Sequence, residues 1–199
     1  MYCVLKEGHN GIGVDLDSKA IADADGYFSR YLRYHRIKHT RQEANATLCS
    51  GKNAPEIRYA FARTPESYRQ GERRTLRLFT GDTKYAERMA GKECCHLIVG
   101  DLPYGVQHGP KDGKTFSSLR DLMEKALPAY YAALKAGGTI ALSFNAYTLS
   151  RDDVAEMMSS AGFTVLTHPP YHDFSHWVEQ AVNRDFVVAR KEGSLTTNC

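Results

Sequence analysis

Short runs of apolar residues recur along most of the chain and predict β-strands. The runs that we interpret as strands are 11–15, 75–79, 93–99, 139–144, 163–166 and 185–190. Between them, apolar residues recur every three or four positions, which is the spacing of one face of a helix. The helices predicted in this way are 17–32, 83–89, 117–134 and 150–160. Strands that alternate with helices favour an α/β protein with a parallel sheet.

We therefore expect a Rossmann-like, mostly parallel sheet with helices on both faces. The stretch 168–184, between the last two predicted strands, is rich in Pro, His and Tyr and has no helix of ordinary length. Because antiparallel neighbours need no long crossover, the C-terminal strand is expected to be antiparallel at the edge of the sheet. The elements predict a single domain over 1–191, followed by a polar tail at 192–199.

The segment 41–74 fits neither strand nor helix spacing. It has weak periodicity and many polar residues. We interpret it as an insertion, a long loop with a short helix near Ala54–Ala62. Loops of this length are usually functional or mobile.

Composition and charge add few constraints on function. The 199 residues carry a net charge of +3, which by itself does not favour nucleic acid. A local basic run contains Arg30, Arg33, Arg36, Lys38, His39 and Arg41. Such a run either contacts phosphates or forms a solvated helix face. No apolar run approaches the ~18 residues of a membrane span, and the N-terminus lacks a basic start followed by an apolar segment, so cytoplasm is the expected location.

The cysteines do not form a metal-binding or disulfide pattern. They are Cys3, Cys49, Cys94, Cys95 and Cys199, an odd number without a CxxC pair. We therefore expect reduced, structural cysteines and no metal site.

The most informative segment is Asp101-Leu102-Pro103-Tyr104-Gly105, which follows the apolar run 96–99. In open α/β sheets, ligands bind at the carboxyl ends of the strands. A carboxylate and a loop carbonyl there can accept the two N–H bonds of an amino group, and an aromatic ring can stack on a planar ring. The segment therefore indicates a nucleobase-like amine as substrate. Asp and Pro are also common in turns, so a purely structural turn is the alternative.

The order of motifs resembles a class I S-adenosylmethionine-dependent methyltransferase. An acid ends the first predicted strand at Asp15, Gly-Asp follows the second at Asp82, and Asp-x-Pro-Tyr follows the third. Within that class, the segment 98–106 is most similar to the RNA guanine-N2 and adenine-N6 amino-methyltransferases, which carry Asp/Asn-Pro-Pro-Tyr/Phe after the fourth strand.

The resemblance implies S-adenosyl-L-methionine as the cofactor. Asp15 would bind its ribose hydroxyls and Asp82 its adenine amino group. Asp101 would border the cofactor as well as the substrate. A carboxylate suits the first role because it can accept bonds from two neighbouring hydroxyls.

The implied reaction is methylation of an exocyclic amino group of a base in RNA, guanine N2 or adenine N6 in tRNA or rRNA. The implied catalytic residues are Asp101, Leu102, Pro103 and Tyr104, with the Asp101 carboxylate and the Leu102 carbonyl holding the amine and Tyr104 stacking on the base. Two acceptors can turn the amine lone pair out of the ring plane, so positioning does most of the catalysis. A paired base cannot reach such a pocket and must be unpaired or flipped out.

Two departures from the family pattern bear on these expectations. Leu102 stands where the family usually has proline, although its backbone carbonyl is retained. The family's first strand and Gly-rich turn, which hold the methionine end of the cofactor, have no counterpart before the Asp15 strand. We therefore expect weak cofactor binding by this chain. Because the missing strand would leave neighbouring strand edges uncovered, we also expect a tendency to self-associate.

Three alternatives to an RNA methyltransferase remain at this stage. The same chemistry on adenine N6 in DNA is the first, and labelled methyl transfer into RNA and DNA pools would separate the two. A non-catalytic, Rossmann-like binding or assembly module without the cofactor cradle is the second. A nicotinamide dehydrogenase is disfavoured, because it requires a GxGxxG turn between the first strand and helix.

Overall fold

The computed structural model describes residues 6–49, 51–103 and 119–193. Its strands are β1 (Gly11–Asp15), β2 (Lys38–Cys49), β3 (Lys52–Ala62), β4 (Arg74–Thr80), β5 (Cys95–Asp101), β6 (Leu134–Asn145), β7 (Thr164–Val165), β8 (His176–Glu179) and β9 (Val182–Arg190). Its helices are α1 (Ser18–Tyr34), α2 (Pro65–Arg69), α3 (Ala86–Ala90), α4 (Leu119–Ala133) and α5 (Arg151–Ser160), with a 3-10 turn at Thr83–Tyr85. None of the described helices is long and apolar enough to cross a membrane.

The chain divides into two compact units, Met1–Met89 and Ala90–Cys199, which we name the first and the second unit. The prediction of a single domain over 1–191 is not tested by this division and stays a prediction. The polar tail falls largely outside the described residues.

The first unit is built on a four-stranded sheet with the order β1-β4-β3-β2. β1 and β4 are parallel, whereas β4, β3 and β2 are successively antiparallel. Helix α1 begins at the N-cap Asp17, whose side chain accepts the Lys19 N–H bond, as is typical of an Asp at a helix start. Its buried residues Phe28 and Leu32 pack into a core cluster with strand residues of one sheet face. A smaller cluster around Phe79 joins α3 to the opposite face.

The second unit is built on a five-stranded sheet with the order β5-β6-β9-β7, and β8 pairs with β9. β5 and β6 are parallel, and the other pairs are antiparallel. Helices α4 and α5 both contribute to one core cluster, in which Leu127 and Val154 join Ile140 and Leu142 of β6. Because alternate residues of a strand share a face, both helices cover the same side of this sheet.

The expected α/β class is confirmed, and the six predicted strands and the four predicted helices all have counterparts within the described residues. The arrangement differs in detail from one mostly parallel sheet. The strands form two sheets, and parallel pairing is limited to β1–β4 and β5–β6. β9 is antiparallel as expected, but it lies between β6 and β7 rather than at the edge. The stretch without a helix before β9 allows this antiparallel return.

The interpretation of 41–74 as a long loop is wrong. Most of it forms the β2–β3 hairpin, and no helix lies at Ala54–Ala62, since that range belongs to β3. The turn is completed by Gly51, which has a φ of +73°. The alternation in β3 places Tyr59 and Phe61 in the core. β2 is mostly polar, so its spacing carries no strand signal, and it is stabilised instead by its backbone pairing with β3.

The second difference is at the junction of α4 and β6. Helix spacing predicts that the helix includes Leu134, but α4 ends at Ala133 and Leu134 begins β6. Leu134 pairs with Cys95, and the register then shifts so that Leu97 pairs with Thr139. Pairing with β5 therefore overrides the local helical preference of Leu134.

Candidate functional site

Asp101 is the last residue of β5, at the carboxyl end of the parallel β5–β6 pair. Its register partner on β6 is Ser143, whose hydroxyl donates a hydrogen bond to Asp101 Oδ1. Ser143 is buried, whereas Asp101 is exposed. The buried hydroxyl therefore orients a carboxylate that faces solvent.

The two residues after Asp101 are held in different ways. The Leu102 N–H donates to the Ser143 carbonyl at 2.9 Å, and the Leu102 side chain is buried in the core cluster of the second unit. Pro103 is exposed, and its ring restricts φ at this point. Tyr104, the predicted stacking residue, lies outside the described residues. Leu102 thus anchors the start of the segment through its backbone bond and its buried side chain.

Asp15 and Asp82 are brought to the same edge of the first unit's sheet. Asp15 ends β1 and pairs with Thr80, and the Gly81 N–H donates to the Asp15 carbonyl at 2.9 Å. Asp82 follows immediately and is the N-cap of the 3-10 turn. Since β1 and β4 are parallel, both carboxylates lie at the carboxyl ends of neighbouring strands, where α/β sheets bind ligands. Asp101 belongs to the sheet of the second unit.

The acceptor chemistry at this edge fits the ribose and adenine groups of the predicted cofactor. Asp15 Oδ1 accepts the Asp17 N–H at 2.8 Å, while Oδ2 makes no hydrogen bond with any described residue. Asp82 Oδ1 accepts the Lys84 N–H at 3.1 Å, and Oδ2 is 2.6 Å from Lys84 Nζ. A carboxylate offers about four lone-pair sites, so both side chains can accept further bonds.

The basic run noted in the sequence is partly engaged within the protein. The Nε groups of Arg30 and Arg33 donate to backbone carbonyls one turn earlier in α1, at 3.2 and 3.3 Å. Arg41 lies in β2 and makes a two-pronged contact with Asp25, with both N–O distances at 3.0 Å. This part of the run therefore stabilises the fold.

A partly buried polar network that the sequence did not reveal joins α1 to the hairpin. The Tyr59 hydroxyl donates to Asp25 Oδ1 at 2.5 Å, beside the Arg41 contact. Burial alone would raise the pKa of Asp25, but the bonds from Arg41 and Tyr59 outweigh it and lower that pKa. Burial and the bond to Asp25 raise the pKa of Tyr59 to about 12. These residues are too far apart in sequence for any spacing rule to connect them.

A second network centres on Glu56, whose side chain is fully buried. Glu56 Oε2 accepts a bond from Arg58 at 2.7 Å, and Oε1 accepts one from Arg77 at 2.6 Å. Burial by itself would raise the pKa of Glu56, but the two arginine bonds reverse this and lower it. In the sequence, the signal for this network is the alternation of side chains over 56–60. That signal can be used only after β3 has been recognised as a strand.

No family model matches this chain, and no curated protein matches it.

Three solved structures illustrate the kinds of protein to which this chain is similar. A possible exported protein from Bordetella parapertussis is 13% identical with a TM-score of 0.46, over 92% of this chain and 53% of its own. A provisionally assigned DNA modification methylase from Thermus thermophilus is 18% identical with a TM-score of 0.38, over 57% and 51% of the two chains. The T. thermophilus 16S rRNA N2 G1207 methyltransferase, in complex with AdoMet and guanosine, is 16% identical with a TM-score of 0.35, over 59% and 24%. The match thus spans about half the length of the Bordetella parapertussis protein and of the Thermus thermophilus DNA methylase.

Proposed function

We propose that this chain is an S-adenosylmethionine-dependent methyltransferase that acts on an exocyclic amino group of a base in RNA, guanine N2 or adenine N6 in tRNA or rRNA. The observation that carries the proposal is the Asp101 carboxylate, which is exposed at the end of a parallel strand and oriented by the buried Ser143.

The residues around Asp101 would bind and orient the amine. The Asp101 carboxylate accepts one amine N–H, and the Leu102 carbonyl accepts the other. With both N–H bonds directed in this way, the nitrogen lone pair points out of the plane of the base. Tyr104 would stack on the base, which is worth about 1–3 kcal/mol and tolerates different bases.

We propose that Asp15 and Asp82 hold the cofactor through its ribose hydroxyls and adenine amino group, and that Asp101 borders it. The remaining acceptor capacity of the two carboxylates supports this assignment. When bound, S-adenosylmethionine supplies an electrophilic methyl group, so the amine needs alignment more than it needs a strong base.

The test is methyl transfer from labelled cofactor into RNA by the chain and by the variant D101N. The variant keeps the size of the side chain but has only one acceptor oxygen, which the Ser143 hydroxyl also uses. We expect the rate to fall about 100-fold or more, as when one positioned hydrogen-bonding group is removed from an active site.

The matched control is D152N, which makes the same chemical change at an exposed position in the first turn of α5. It should retain the wild-type rate. Equal rates for D101N and D152N, with both variants folded by circular dichroism, would refute the role of Asp101. Cofactor binding is followed separately by calorimetry with D15N, which should weaken binding without changing the fold.

Methylation of adenine N6 in DNA is the second candidate, because an amine held by Asp101 and Leu102 is present on adenine in either nucleic acid. The same assay with DNA pools separates the two, since label in DNA alone would assign the chain to DNA. A non-catalytic assembly module is supported if neither pool is labelled while the chain self-associates. For the RNA enzyme we propose a cytoplasmic location.

We also propose self-association through the sheet edges. Within the described residues, β1 and β5 each lie at the end of their sheet order. On β5, Leu97 and Val99 share a face and are 60% and 73% exposed. A sheet edge with exposed apolar side chains pairs readily with another strand, so a second copy of this chain is a suitable partner.

A further inference from the structure

One face of the first unit's sheet carries polar side chains on three adjacent strands. Because side chains alternate along a strand, the register places Gln42, Arg58 and Arg77 side by side on β2, β3 and β4. The neighbouring row begins with Thr40 on β2 and ends with Thr75 on β4. We name this surface the arginine face, defined by Thr40, Gln42, Arg58, Thr75 and Arg77.

The arginine face surrounds a shallow depression of about 330 Å³, all of it within the first unit. It is lined by the five residues of the arginine face together with Tyr59 and Ala60. All five side chains carry hydrogen-bond donors. Because two of these residues are arginines, the depression is suited to an anion.

Glu56 fixes the two guanidinium groups from the next position on the same sheet face. Its buried carboxylate contacts Arg58 through one oxygen and Arg77 through the other. One negative charge shared by two arginines leaves the cluster with a net positive charge. The Arg58 side chain is 49% exposed, so it faces solvent as well as Glu56. A guanidinium that is already held in place loses little conformational entropy when it binds a phosphate.

The distribution of charge between the units favours the same ligand. Residues 1–89 contain sixteen Lys and Arg against eleven Asp and Glu, whereas residues 90–199 contain ten against twelve. The positive charge of the protein therefore belongs to the unit that carries the arginine face. Such an asymmetry is typical of proteins in which one part contacts nucleic acid.

We infer that the arginine face binds a phosphodiester of a nucleic-acid strand, through Arg58 and Arg77 with Gln42 and Thr40 as neutral donors. The inference rests on the proposed function, because it names the surface that holds the substrate backbone. Contacts to phosphates position a nucleic acid without reading its bases, which a base-modifying enzyme needs in addition to its base pocket.

The experiment measures binding of fluorescein-labelled single-stranded RNA and DNA of the same sequence to the full chain by fluorescence anisotropy, over a series of salt concentrations without cofactor. The variant R58Q removes one guanidinium. At low salt its affinity should fall about five- to tenfold, and the slope of log K against log salt should decrease by about 0.7, the value for one phosphate contact on a single strand.

The control is R69Q, which removes the same charge from an exposed arginine on α2, outside the arginine face. Its affinity and salt slope should stay close to wild type. The variant Q42A tests the depression without a change of charge and should weaken binding by about two- to threefold. Melting temperatures show that each variant is folded.

The outcomes separate this inference from the proposed function. Equal effects of R58Q and R69Q, or no binding of either oligonucleotide by wild type, would overturn the arginine face as a binding surface. A loss of affinity with R58Q but not with R69Q supports the arginine face, whether RNA, DNA or both are affected. The RNA and DNA titrations of the wild type show which strand it prefers. If binding depends on Arg58 but no methyl transfer occurs to any pool, the surface stands and the methyltransferase assignment fails.

Discussion

Glu56 is a buried carboxylate whose charge depends on two arginines from neighbouring positions of β3 and β4. The contacts lower its pKa below the ordinary value of 4.5. A carboxyl group with a lowered folded-state pKa contributes stability above its unfolded pKa and loses that contribution as pH falls towards the folded value. Glu56 should therefore stabilise the hairpin at neutral pH and progressively less as the solution is acidified.

At the residue scale, we predict that E56Q lowers the free energy of unfolding at pH 7 by about 1–3 kcal/mol, because the amide bonds the arginines less strongly and leaves their charge uncompensated. Below pH 4.5 the difference between wild type and E56Q should shrink, since Glu56 of the unfolded wild type is then protonated before Glu56 of the folded protein. Urea unfolding across this pH range measures both effects.

The control for this prediction is E66Q, which removes an exposed carboxylate that pairs with Arg69 on α2. Exposed ion pairs contribute little, so its unfolding free energy should change by less than about 1 kcal/mol. A pH dependence that is identical in wild type and E56Q would show that Glu56 does not couple protonation to folding.

At the element scale, the junction of α4 and β6 depends on close backbone contact at Gly138. A Cβ atom there would lie 2.8 Å from the Lys135 carbonyl oxygen and 3.3 Å from the Cys95 carbonyl oxygen. Backbone atoms cannot move aside as the end of a side chain can. We predict that G138A destabilises the protein by about 1–3 kcal/mol, the usual cost of overpacking, as measured by chemical unfolding.

Gly26, in the middle of α1, provides the matched comparison. Nothing lies within 4 Å of a Cβ at this position. The variant G26A should therefore stabilise the protein by about 0.5–1 kcal/mol, because alanine loses less backbone entropy in a helix. Destabilisation of similar size in both variants would contradict the contact geometry assigned to Gly138.

The elements also show where spacing rules succeed. α1 and α5 were predicted because a cap residue and an apolar face are both local signals, and the structure places the two caps at Asp17 and Ser150. β2 was missed because a polar strand has no local signal, and its pairing partner lies beyond a turn at Gly51. Leu134 was predicted to belong to the helix because its spacing fits α4. In the structure it pairs with Cys95 and belongs to β6.

At the scale of the whole molecule, the terminal positions of β1 and β5 in their sheets predict concentration-dependent association. We expect light scattering during size-exclusion chromatography to show a mass above that of the monomer as the concentration rises. The variant V99K places a charge on the exposed apolar face of β5 and should shift the protein towards monomer, since lysine on an edge strand opposes pairing.

Leu16 supplies the control, because it is 73% exposed, the same fraction as Val99, and lies outside the strands. L16K should associate like the wild type if strand pairing causes association. A monomer at all concentrations, or an equal response of L16K and V99K, would argue against association through β5.

Local patterns in the chain were sufficient for the α/β class, for most helices and strands, and for the exposed Asp101 at the end of a strand. These features depend on side-chain periodicity, caps and turn residues, which act within a few positions of one another. The folded chain was needed for the two-sheet arrangement, the β2–β3 hairpin, the support of Asp101 by Ser143 and the contacts of the buried Glu56 with its two arginines. Each of these comes from pairing between segments that are separated by a turn or by whole elements. The free energy of that pairing depends on both segments, so the spacing of apolar residues within one of them does not determine it.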